Sequence, residues 1–366
     1  MPSINQKSNE PVIQTATAIR DGLLEVAKRD PSVIFMAEGV EDPTSVFGTL
    51  SGIGDIIGKD RMIETPVAEN ATVGVAIGAA MAGKRPVISF HRVEFALLAM
   101  EQIINNAAKI NYLSRGKHPV PIVIRLVVGR GWGQGPNHSQ SLESIFSHIP
   151  GLKVILPTFP ADAKGLIIGA VEDPNPVICI ENRWCHYVEG NVPDGYYSLP
   201  LDGPKIIREG SDFTVVSTSY MTLEASMAAE QLSNIGIEVE ILDLRVSRPL
   251  NLSHIKKSVQ KTGRLLTVDL GWVEYGVGAE IIASIVDQTM DTLKTPPKRL
   301  GLASHPTPSS RGLVSHYYPD AVEIARSICE NINLPERKKN SVLSEIREMR
   351  TSSLIDTPHP AFKGPF

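Results

Sequence analysis

Short apolar segments rich in β-branched residues alternate with helix-like segments along almost the whole chain. In the first half, near-continuous apolar runs predict strands at residues 33–36, 86–90, 121–127, 153–156 and 177–181. Strands of this composition are covered on both faces, as in a parallel sheet. The intervening periodicity predicts helices at residues 17–28, 71–82, 96–110 and 161–171. Because parallel strands are joined by right-handed crossovers, we expect a doubly wound α/β domain.

The alternation is interrupted once and then resumes. Residues 191–210 (NVPDGYYSLPLDGPKIIREG) are rich in turn-forming residues and predict a linker. Beyond it, strands are predicted at 213–219, 238–244, 264–270 and 298–302, with helices at 223–232, 254–261 and 278–287. A chain of 366 residues is long enough for two domains. We therefore divide it into an N-terminal arm (1–16), a first α/β domain (17–190), the linker (191–210), a second α/β domain (211–334) and a surface tail (335–366).

Composition and charge exclude several classes of function. The 36 Lys and Arg residues nearly balance the 40 Asp and Glu residues, which argues against nucleic acid or a membrane surface as a partner. The three cysteines include no CxxC pair, so they support neither a disulfide framework nor a zinc site. The most apolar helical stretch, residues 73–82, is far shorter than the roughly 20 residues that span a membrane. Since the N-terminus also resembles no signal or transit peptide, we expect a cytoplasmic, bacterial protein.

The sequence lacks the common catalytic signatures. HExxH, GxSxG, the P-loop and a GxGxxG fingerprint after a strand are all missing. The glycine-rich loop GRGWGQGPNHSQ follows a predicted strand, but its glycines alternate at Gly129, Gly131, Gly133 and Gly135 and so miss the dinucleotide spacing. Zinc-protease, serine-hydrolase and P-loop chemistry are therefore disfavoured.

Two polar residues follow predicted strands, where open parallel sheets bind their ligands. Glu69 precedes the apolar helix that begins near Ala71, although a first-turn acid favoured by the helix dipole would also explain it. His138 ends the glycine-rich loop, either as a catalytic group or as a histidine that braces the loop. The residues alone leave these alternatives open.

Several motifs in register carry a resemblance that no single motif would. They are ETPVAENATVGVAIGAAMAGKRPV, FALLAMEQIINNAAK, GQGPNHSQS and PGLKVILPTFPADAKGLIIGAVEDPNPVICIEN, then RVSRPL and GWVEYGVGAEI in the second domain. Over residues 17–330 the chain resembles the β subunit of the E1 component of 2-oxo acid dehydrogenase complexes (pyruvate and branched-chain type), within the thiamine-diphosphate-dependent, transketolase-like family. The resemblance implies a transketolase-like pyrimidine-binding domain followed by a transketolase C-terminal domain.

The resemblance implies roles for three residues. Glu69 matches the glutamate that hydrogen-bonds N1′ of the aminopyrimidine; a proton shared with N1′ favours the imino tautomer, whose 4′-nitrogen can deprotonate thiazolium C2. Phe95 matches the aromatic residue that packs on the pyrimidine, with an ordinary core aromatic as the alternative. His138 matches the histidine near the reacting carbonyl, which orients the substrate or the lipoyl group and donates a proton.

The same resemblance implies an optional potassium site. The matching residues are Ile122, Ala170, Asp173 and Asn175, which in the family supply backbone carbonyls and an acid to a hard cation. Taken by itself, the sequence EDPNP predicts only a turn that ends a helix.

Departures from the family's pattern also matter. The segment HRVE at 91–94 is more polar than expected before the phenylalanine, so His91 and Arg92 are expected to alter the cofactor's surroundings or the choice of substrate. The GDG motif with its downstream asparagine, which holds magnesium and the diphosphate, is missing, so we do not expect this chain alone to hold the diphosphate. Segments that vary in the family contain three residues left without a role: Trp132, Trp184 and His186.

We therefore expect a β subunit that pairs with an α subunit in an α2β2 heterotetramer, decarboxylates a 2-oxo acid and transfers the acyl group to lipoyl. The α subunit would hold magnesium, and a lipoyl acyltransferase (E2) would be a further partner. One alternative keeps the cofactor but uses an aldehyde acceptor, in a two-chain transketolase-like or acyloin-forming synthase of a biosynthetic pathway. The other is a noncatalytic assembly subunit, against which the joint presence of Glu69, Phe95 and His138 argues.

Overall fold

The computed structural model describes residues 10–42, 44–130, 133–314 and 317–350. Residues 1–9 of the expected arm, 351–366 of the expected tail and Trp132 lie outside the described residues. The strands, in chain order, are β1 (Val12–Gln14), β2 (Val33–Ala37), β3 (Met62–Glu64), β4 (Arg85–Phe90), β5 (Val123–Val128), β6 (Lys153–Ile155), β7 (Val177–Asn182), β8 (Glu189–Asn191), β9 (Lys205–Arg208), β10 (Phe213–Ser217), β11 (Val239–Asp243), β12 (Val246–Arg248), β13 (Leu265–Trp272) and β14 (Lys298–Leu302).

The helices lie mostly between successive strands. They are α1 (Thr15–Arg29), α2 (Ile53–Ile57), α3 (Glu69–Met81), α4 (Ala108–Leu113), α5 (Glu143–Ser147), α6 (Pro160–Glu172), α7 (Tyr220–Ser233), α8 (Ser253–Thr262), α9 (Val277–Thr289), α10 (Arg311–Val314), α11 (Ala321–Asn331) and α12 (Glu336–Arg350). Short 3-10 turns occur at Lys59–Arg61, Val93–Ala99, Cys185–Tyr187 and Met290–Thr292, and a π-helical segment at Gln102–Ala107.

The first sheet has seven strands in the order β12-β6-β7-β5-β4-β2-β3, all parallel except β12. Successive residues of its strands face opposite cores: Val87 packs with α1 and α6, whereas Ile88 packs with α3. Helices therefore cover both faces, which explains why most residues of these strands are apolar. The close approach of α1 to α6 requires Gly22, since a Cβ there would lie 2.8 Å from Ile167 Cγ2.

The second sheet has five strands in the order β14-β13-β10-β11-β9, parallel except for β9. Val215 faces a core formed with α7, α11 and α12, and Val216 faces a core formed with α8 and α9. The prediction of two α/β domains with largely parallel sheets is therefore confirmed. In the part of the chain that the structure describes, no helix has the length and apolarity to cross a membrane.

Two segments expected to be irregular contain strands. In the expected arm, β1 pairs antiparallel with β8, which begins before the expected linker. Within the linker, β9 adds an antiparallel edge to the second sheet. The strand β12, from the second half of the chain, joins the first sheet beside β6, so one strand crosses the expected domain boundary. Strands this short carry too few residues for their periodicity to be recognised in the sequence.

The prediction of a surface tail is wrong for residues 336–350, because they form the helix α12. Its side chains Val342, Leu343 and Ile346 are buried against the second domain, because they lie on one face of an otherwise charged helix. Arg350 at its end forms ion pairs with Glu224 and Asp320.

The single helix predicted at 96–110 also differs. The segment begins with a 3-10 turn and contains a π-helical stretch before α4. The three kinds of helix differ in residues per turn, but each stretch is only six or seven residues long, too short for the pattern of apolar residues to distinguish them.

Candidate active site

Three carboxyl groups lie together at the carboxyl edge of the first sheet. Glu38 follows β2, Glu64 ends the neighbouring β3, and Glu69 is the first residue of α3. Burial, and then the charges of Glu69 and Glu64, raise the pKa of Glu38. The side chain of Glu69 is buried, with 5% of the residue exposed. Its position at the start of α3 suits the helix dipole, but the adjacent carboxyl groups were not indicated by the sequence.

Glu64 fixes the turn that carries Glu38. Its carboxylate accepts hydrogen bonds from the backbone N–H groups of Gly39 at 2.7 Å and Val40 at 2.8 Å. Gly39 adopts a φ of 67°, which a glycine tolerates without strain. We did not select Glu38 and Glu64 from the sequence. The signal that could have found them is the one that selected Glu69, a polar residue at the carboxyl end of a strand.

Phe95 and His138 meet edge to face. Phe95 lies in the 3-10 turn Val93–Ala99 and His138 in the loop after β5, yet their ring centroids are 5.7 Å apart at an interplanar angle of 90°. Both residues are half-buried. Aromatic rings commonly pack in this T-shaped arrangement. The structure therefore brings together two of the three residues implied by the resemblance, and β4, which precedes Phe95, lies beside the strand that precedes Glu38.

The glycine-rich loop holds His138 by close backbone packing. A Cβ at Gly129 would lie 2.2 Å from the carbonyl oxygen of His138 and 2.4 Å from Oε1 of Gln134. A Cβ at Gly135 would lie 2.3 Å from Oγ of Ser309 in the second domain. The glycines thus allow the loop to pack against both domains, and they do not form a dinucleotide cradle.

Comparison with known proteins agrees with this architecture. Residues 12–184 match the profile of the transketolase pyrimidine-binding domain, and residues 204–324 match that of the transketolase C-terminal domain. Pyruvate dehydrogenase E1 component subunit beta-1 of Oryza sativa is 39% identical over 85% of this chain and 84% of its own length. The corresponding subunit of Rattus norvegicus is 38% identical over 87% of this chain and 90% of its own length. The chain belongs to the transketolase-like E1 β-subunit family.

The chain is also similar to a further curated protein and to a solved structure. The β subunit of the acetoin:2,6-dichlorophenolindophenol oxidoreductase of Cupriavidus necator is 38% identical over 84% of this chain and 94% of its own length. A solved structure titled split gene transketolase, inactive beta4 tetramer, has a TM-score of 0.72, with 21% identity over 88% of this chain and 99% of that chain. That likeness establishes the fold.

In this E1 β-family chain the HRVE segment packs around Phe47. The ring of His91 meets Phe47 at 5.5 Å, and the guanidinium groups of Arg92 and Arg183 lie 5.4 Å and 4.4 Å from the centre of the Phe47 ring. Burial and then the charge of Arg92 lower the pKa of His91, which favours the neutral imidazole. Burial lowers the pKa of Arg92 itself to about 10. The effect of these residues on the cofactor or substrate stays a prediction.

His186 and Trp184, which the sequence left without a role, form hydrogen bonds with Glu181 and with the backbone of Arg130. His186 Nε2 lies 3.1 Å from Oε2 of Glu181, whose carboxylate also accepts two hydrogen bonds from Arg125. Although burial raises it, the charge of Arg125 and hydrogen bonds from His186 and Arg125 lower the pKa of Glu181 to about 2. Trp184 donates its indole N–H to the carbonyl of Arg130 at 3.1 Å. Both residues therefore brace the end of β7 and the start of the glycine-rich loop.

Three of the four candidate potassium residues lie at or just after the end of α6, and the fourth, Ile122, directly precedes β5. The backbone N–H of Val177 donates to the carbonyl of Ile122, and the Asp173 carboxylate accepts the backbone N–H of Asn175 at 2.9 Å. Ala170 has proline four residues later, so its carbonyl has no N–H donor at the usual helical position. The Asp173 carboxylate also forms an ion pair with Lys153, so a cation bound there would compete with the Lys153 ammonium group. Among the described residues, no group of three or more His, Cys, Asp and Glu side chains could hold a metal ion.

Proposed function

We propose that this chain is the β subunit of a thiamine-diphosphate-dependent 2-oxo acid dehydrogenase E1. It acts with an α subunit, decarboxylates a 2-oxo acid and transfers the acyl group to lipoyl. The observation that carries the proposal is the edge-to-face contact of Phe95 and His138 at the same sheet edge as buried Glu69, in a chain of the E1 β-subunit family. When bound, the cofactor supplies a carbon nucleophile and an electron sink for decarboxylation.

Glu69 supplies the acid–base chemistry of this site. Its buried carboxyl group shares a proton with the pyrimidine nitrogen N1′, for which it needs to be held in one place and shielded from water. Location at the first residue of α3 gives that position, because the regular backbone of the helix begins at Glu69. Phe95 would pack against the pyrimidine ring when the cofactor is bound.

His138 acts on the substrate. Its half-buried imidazole packs perpendicular to the ring of Phe95, and we propose that it contacts the 2-oxo acid or the lipoyl group. Imidazole is suited to orienting a carbonyl oxygen and to donating a proton near neutral pH.

An α subunit completes the site. Exposed apolar side chains occur in the segments that carry the candidate residues. Val67 (78% exposed) precedes α3, Val75 (63%) lies within α3, and Leu98 (66%) lies in the same 3-10 turn as Phe95. Apolar side chains exposed together are typical of a surface that another chain covers. We propose an α2β2 heterotetramer in which the α subunit holds magnesium and the diphosphate, and which delivers its product to an E2 acyltransferase.

Potassium, if bound, would be held by Ile122, Ala170, Asp173 and Asn175. The proline-freed carbonyl of Ala170 and the Asp173–Asn175 turn support this assignment. A rise in melting temperature in potassium chloride over that in lithium chloride at equal ionic strength is expected, and equal melting temperatures would contradict it.

A cytoplasmic location is part of the proposal. The three cysteines, Cys179, Cys185 and Cys329, are free thiols and are buried, which suits a reducing compartment. The rice and rat relatives are named mitochondrial, so fractionation of the source cells is the appropriate test.

A second candidate function is acyloin chemistry. The Cupriavidus necator relative, named as an acetoin oxidoreductase subunit, is as similar to this chain as the named pyruvate dehydrogenase subunits. In this alternative the same residues would act, but an acyloin or an aldehyde would replace lipoyl as the reaction partner.

Reconstitution tests the two functions together. The chain would be purified with its α subunit and supplied with thiamine diphosphate, magnesium and a panel of 2-oxo acids. Reductive acylation of a lipoyl domain is the expected result. Cleavage of acetoin, or condensation with an aldehyde, without acylation of lipoyl would support the second function instead. No turnover in any of these assays would contradict both and favour a noncatalytic assembly subunit.

A further inference from the structure

The HRVE segment contains a buried glutamate that has no role in the proposed function. Glu94 directly precedes Phe95 and is only 9% exposed. Glutamate is seldom buried to this degree unless its charge is held by specific hydrogen bonds. The contacts of its carboxyl group therefore need an explanation.

One carboxyl oxygen of Glu94 bonds to the loop that carries His138. Oε1 accepts a hydrogen bond from the backbone N–H of Gln140 at 2.7 Å. This distance is short for an N–H···O bond and is typical of an ionised acceptor. The other oxygen, Oε2, is buried and has no hydrogen-bond partner among the described residues. The hydrogen bond from the histidine loop is therefore a main source of polar stabilisation for this carboxyl group, together with the charge of Arg92.

The hydrogen bond between Gln140 and Glu94 links the two segments whose rings, Phe95 and His138, meet in the candidate site. Glu94 is adjacent to Phe95 in the chain, and Gln140 lies two residues after His138. The carbonyl group of His138 itself packs on Gly129, where no side chain would fit. Two contacts therefore constrain the backbone that follows the Cα atom of His138.

We propose that Glu94 is a positioning residue for His138, setting the imidazole against Phe95 through the backbone of Gln140. The proposal rests on the proposed function for the step that His138 serves. Glu94 itself does not touch the substrate. Its loss is expected to displace the histidine loop, and small displacements of a catalytic group cause large losses of rate.

The strength of this bond depends on ionisation. Burial raises the pKa of Glu94, whereas the hydrogen bond from Gln140 and the charge of Arg92 oppose the rise. A carboxylate is a stronger acceptor than a carboxylic acid or an amide. Protonation at low pH therefore weakens the bond, and the effect of Glu94 on His138 should fade as the pH falls through the raised pKa.

The test compares Glu94→Ala and Glu94→Gln with a matched control. Glu224 in the second domain is also a buried glutamate whose carboxylate accepts a backbone N–H, from Ala321 at 2.9 Å, and it has no part in the site. With the α subunit and cofactor bound, we expect Glu94→Ala to slow decarboxylation by about 10- to 100-fold. Glu94→Gln, which keeps an acceptor, should retain most of the rate, and Glu224→Ala should lose stability without loss of rate.

The pH profile separates positioning from general loss of structure. The ratio of the wild-type rate to the Glu94→Ala rate should fall as the pH is lowered through the raised pKa of Glu94, because the protonated carboxyl group is a weaker acceptor for the N–H of Gln140. A ratio that does not change with pH, or equal rate losses in Glu94→Ala and Glu224→Ala, would overturn the proposal.

A readout without turnover keeps this proposal distinct from the proposed function. In the isolated chain, the ring of Phe95 shifts the imidazole resonances of His138. Those resonances should move in Glu94→Ala, return in Glu94→Gln and stay unchanged in Glu224→Ala. Unmoved resonances in Glu94→Ala would contradict the positioning role even if the wild-type complex has no 2-oxo acid activity.

Discussion

Glu143 of the first domain and Asp269 of the second place carboxyl oxygens around the same glycine. A Cβ at Gly271 would lie 3.3 Å from Oε1 of Glu143 and 3.3 Å from Oδ1 of Asp269. Both side chains are buried, and the hydroxyl of Ser141 donates to Glu143 at 2.7 Å. Burial and then the charge of Glu143 raise the pKa of Asp269 to about 8. The domain junction therefore retains a proton at neutral pH.

That retained proton predicts that stability declines as the pH rises from about 4 to about 8. Because the folded pKa of Asp269 exceeds its unfolded value near 3.8, the folded state binds the extra proton, and the stabilisation is lost as the pH rises towards about 8. Asp269→Asn keeps an acceptor for the N–H of Gly271 and removes the ionisation. Denaturant unfolding should show a smaller decline in the free energy of unfolding between pH 6 and 9 for the variant, and an unchanged decline would contradict the assignment.

Glu181 predicts the opposite dependence on pH. Its folded pKa of about 2 lies below the usual 4.5, so its stabilisation is present above pH 4.5 and is lost as the pH falls towards 2. Glu181→Gln leaves the buried charge of Arg125 without its counter-ion and should cost about 3–5 kcal/mol at pH 7. The difference in the free energy of unfolding between the wild type and the variant should shrink below pH 4.5. A difference that stays constant down to pH 3 would show that Glu181 is not the group responsible.

Glu69→Gln tests the proton transfer at N1′. In the complex with the α subunit, exchange of the cofactor's C2 proton should slow by about 10²- to 10⁴-fold, because an amide cannot share the proton. The control Glu230→Gln, at an exposed position of α7, should exchange at the wild-type rate. Wild-type exchange in Glu69→Gln would leave only the helix-dipole role for this residue.

His138→Ala tests the step after activation. Since His138 is proposed to act on the substrate, the variant should impair decarboxylation or acyl transfer while C2 exchange stays close to the wild-type rate. The two variants should therefore show different defects: His138→Ala loses turnover but keeps C2 exchange, whereas Glu69→Gln loses C2 exchange. Unaltered turnover in His138→Ala would contradict the catalytic role and leave His138 as a residue that braces the loop.

Binding of the cofactor by the isolated chain tests the division of labour between the subunits. The described residues hold no group of three or more metal-ligating side chains, and the sequence lacks the diphosphate motif. Calorimetric titration with thiamine diphosphate and magnesium should show affinity at least about tenfold weaker, more than about 1.4 kcal/mol, without the α subunit than with it. Tight binding and full turnover by this chain alone would mean that it is a complete enzyme.

The amino-acid sequence by itself determined the parallel sheets and the order of their elements. The runs that became β5 and β7 are apolar at nearly every position, and only a strand covered on both faces makes such a pattern favourable. It also located Glu69 at the start of α3 and His138 after β5, because strand ends and helix starts have local signals. Motifs in register then indicated the family.

Only the tertiary structure decided which distant residues meet. Nothing local links Phe95 to His138, Glu94 to Gln140 or Glu143 to Asp269, because their contacts depend on the order of strands and on the backbone packing at Gly129. The pairing of β12 with β6 and the packing of α12 were likewise undetermined. Periodicity reports how often a side chain is buried along one element, whereas the partner that buries it is selected by contacts across the whole fold.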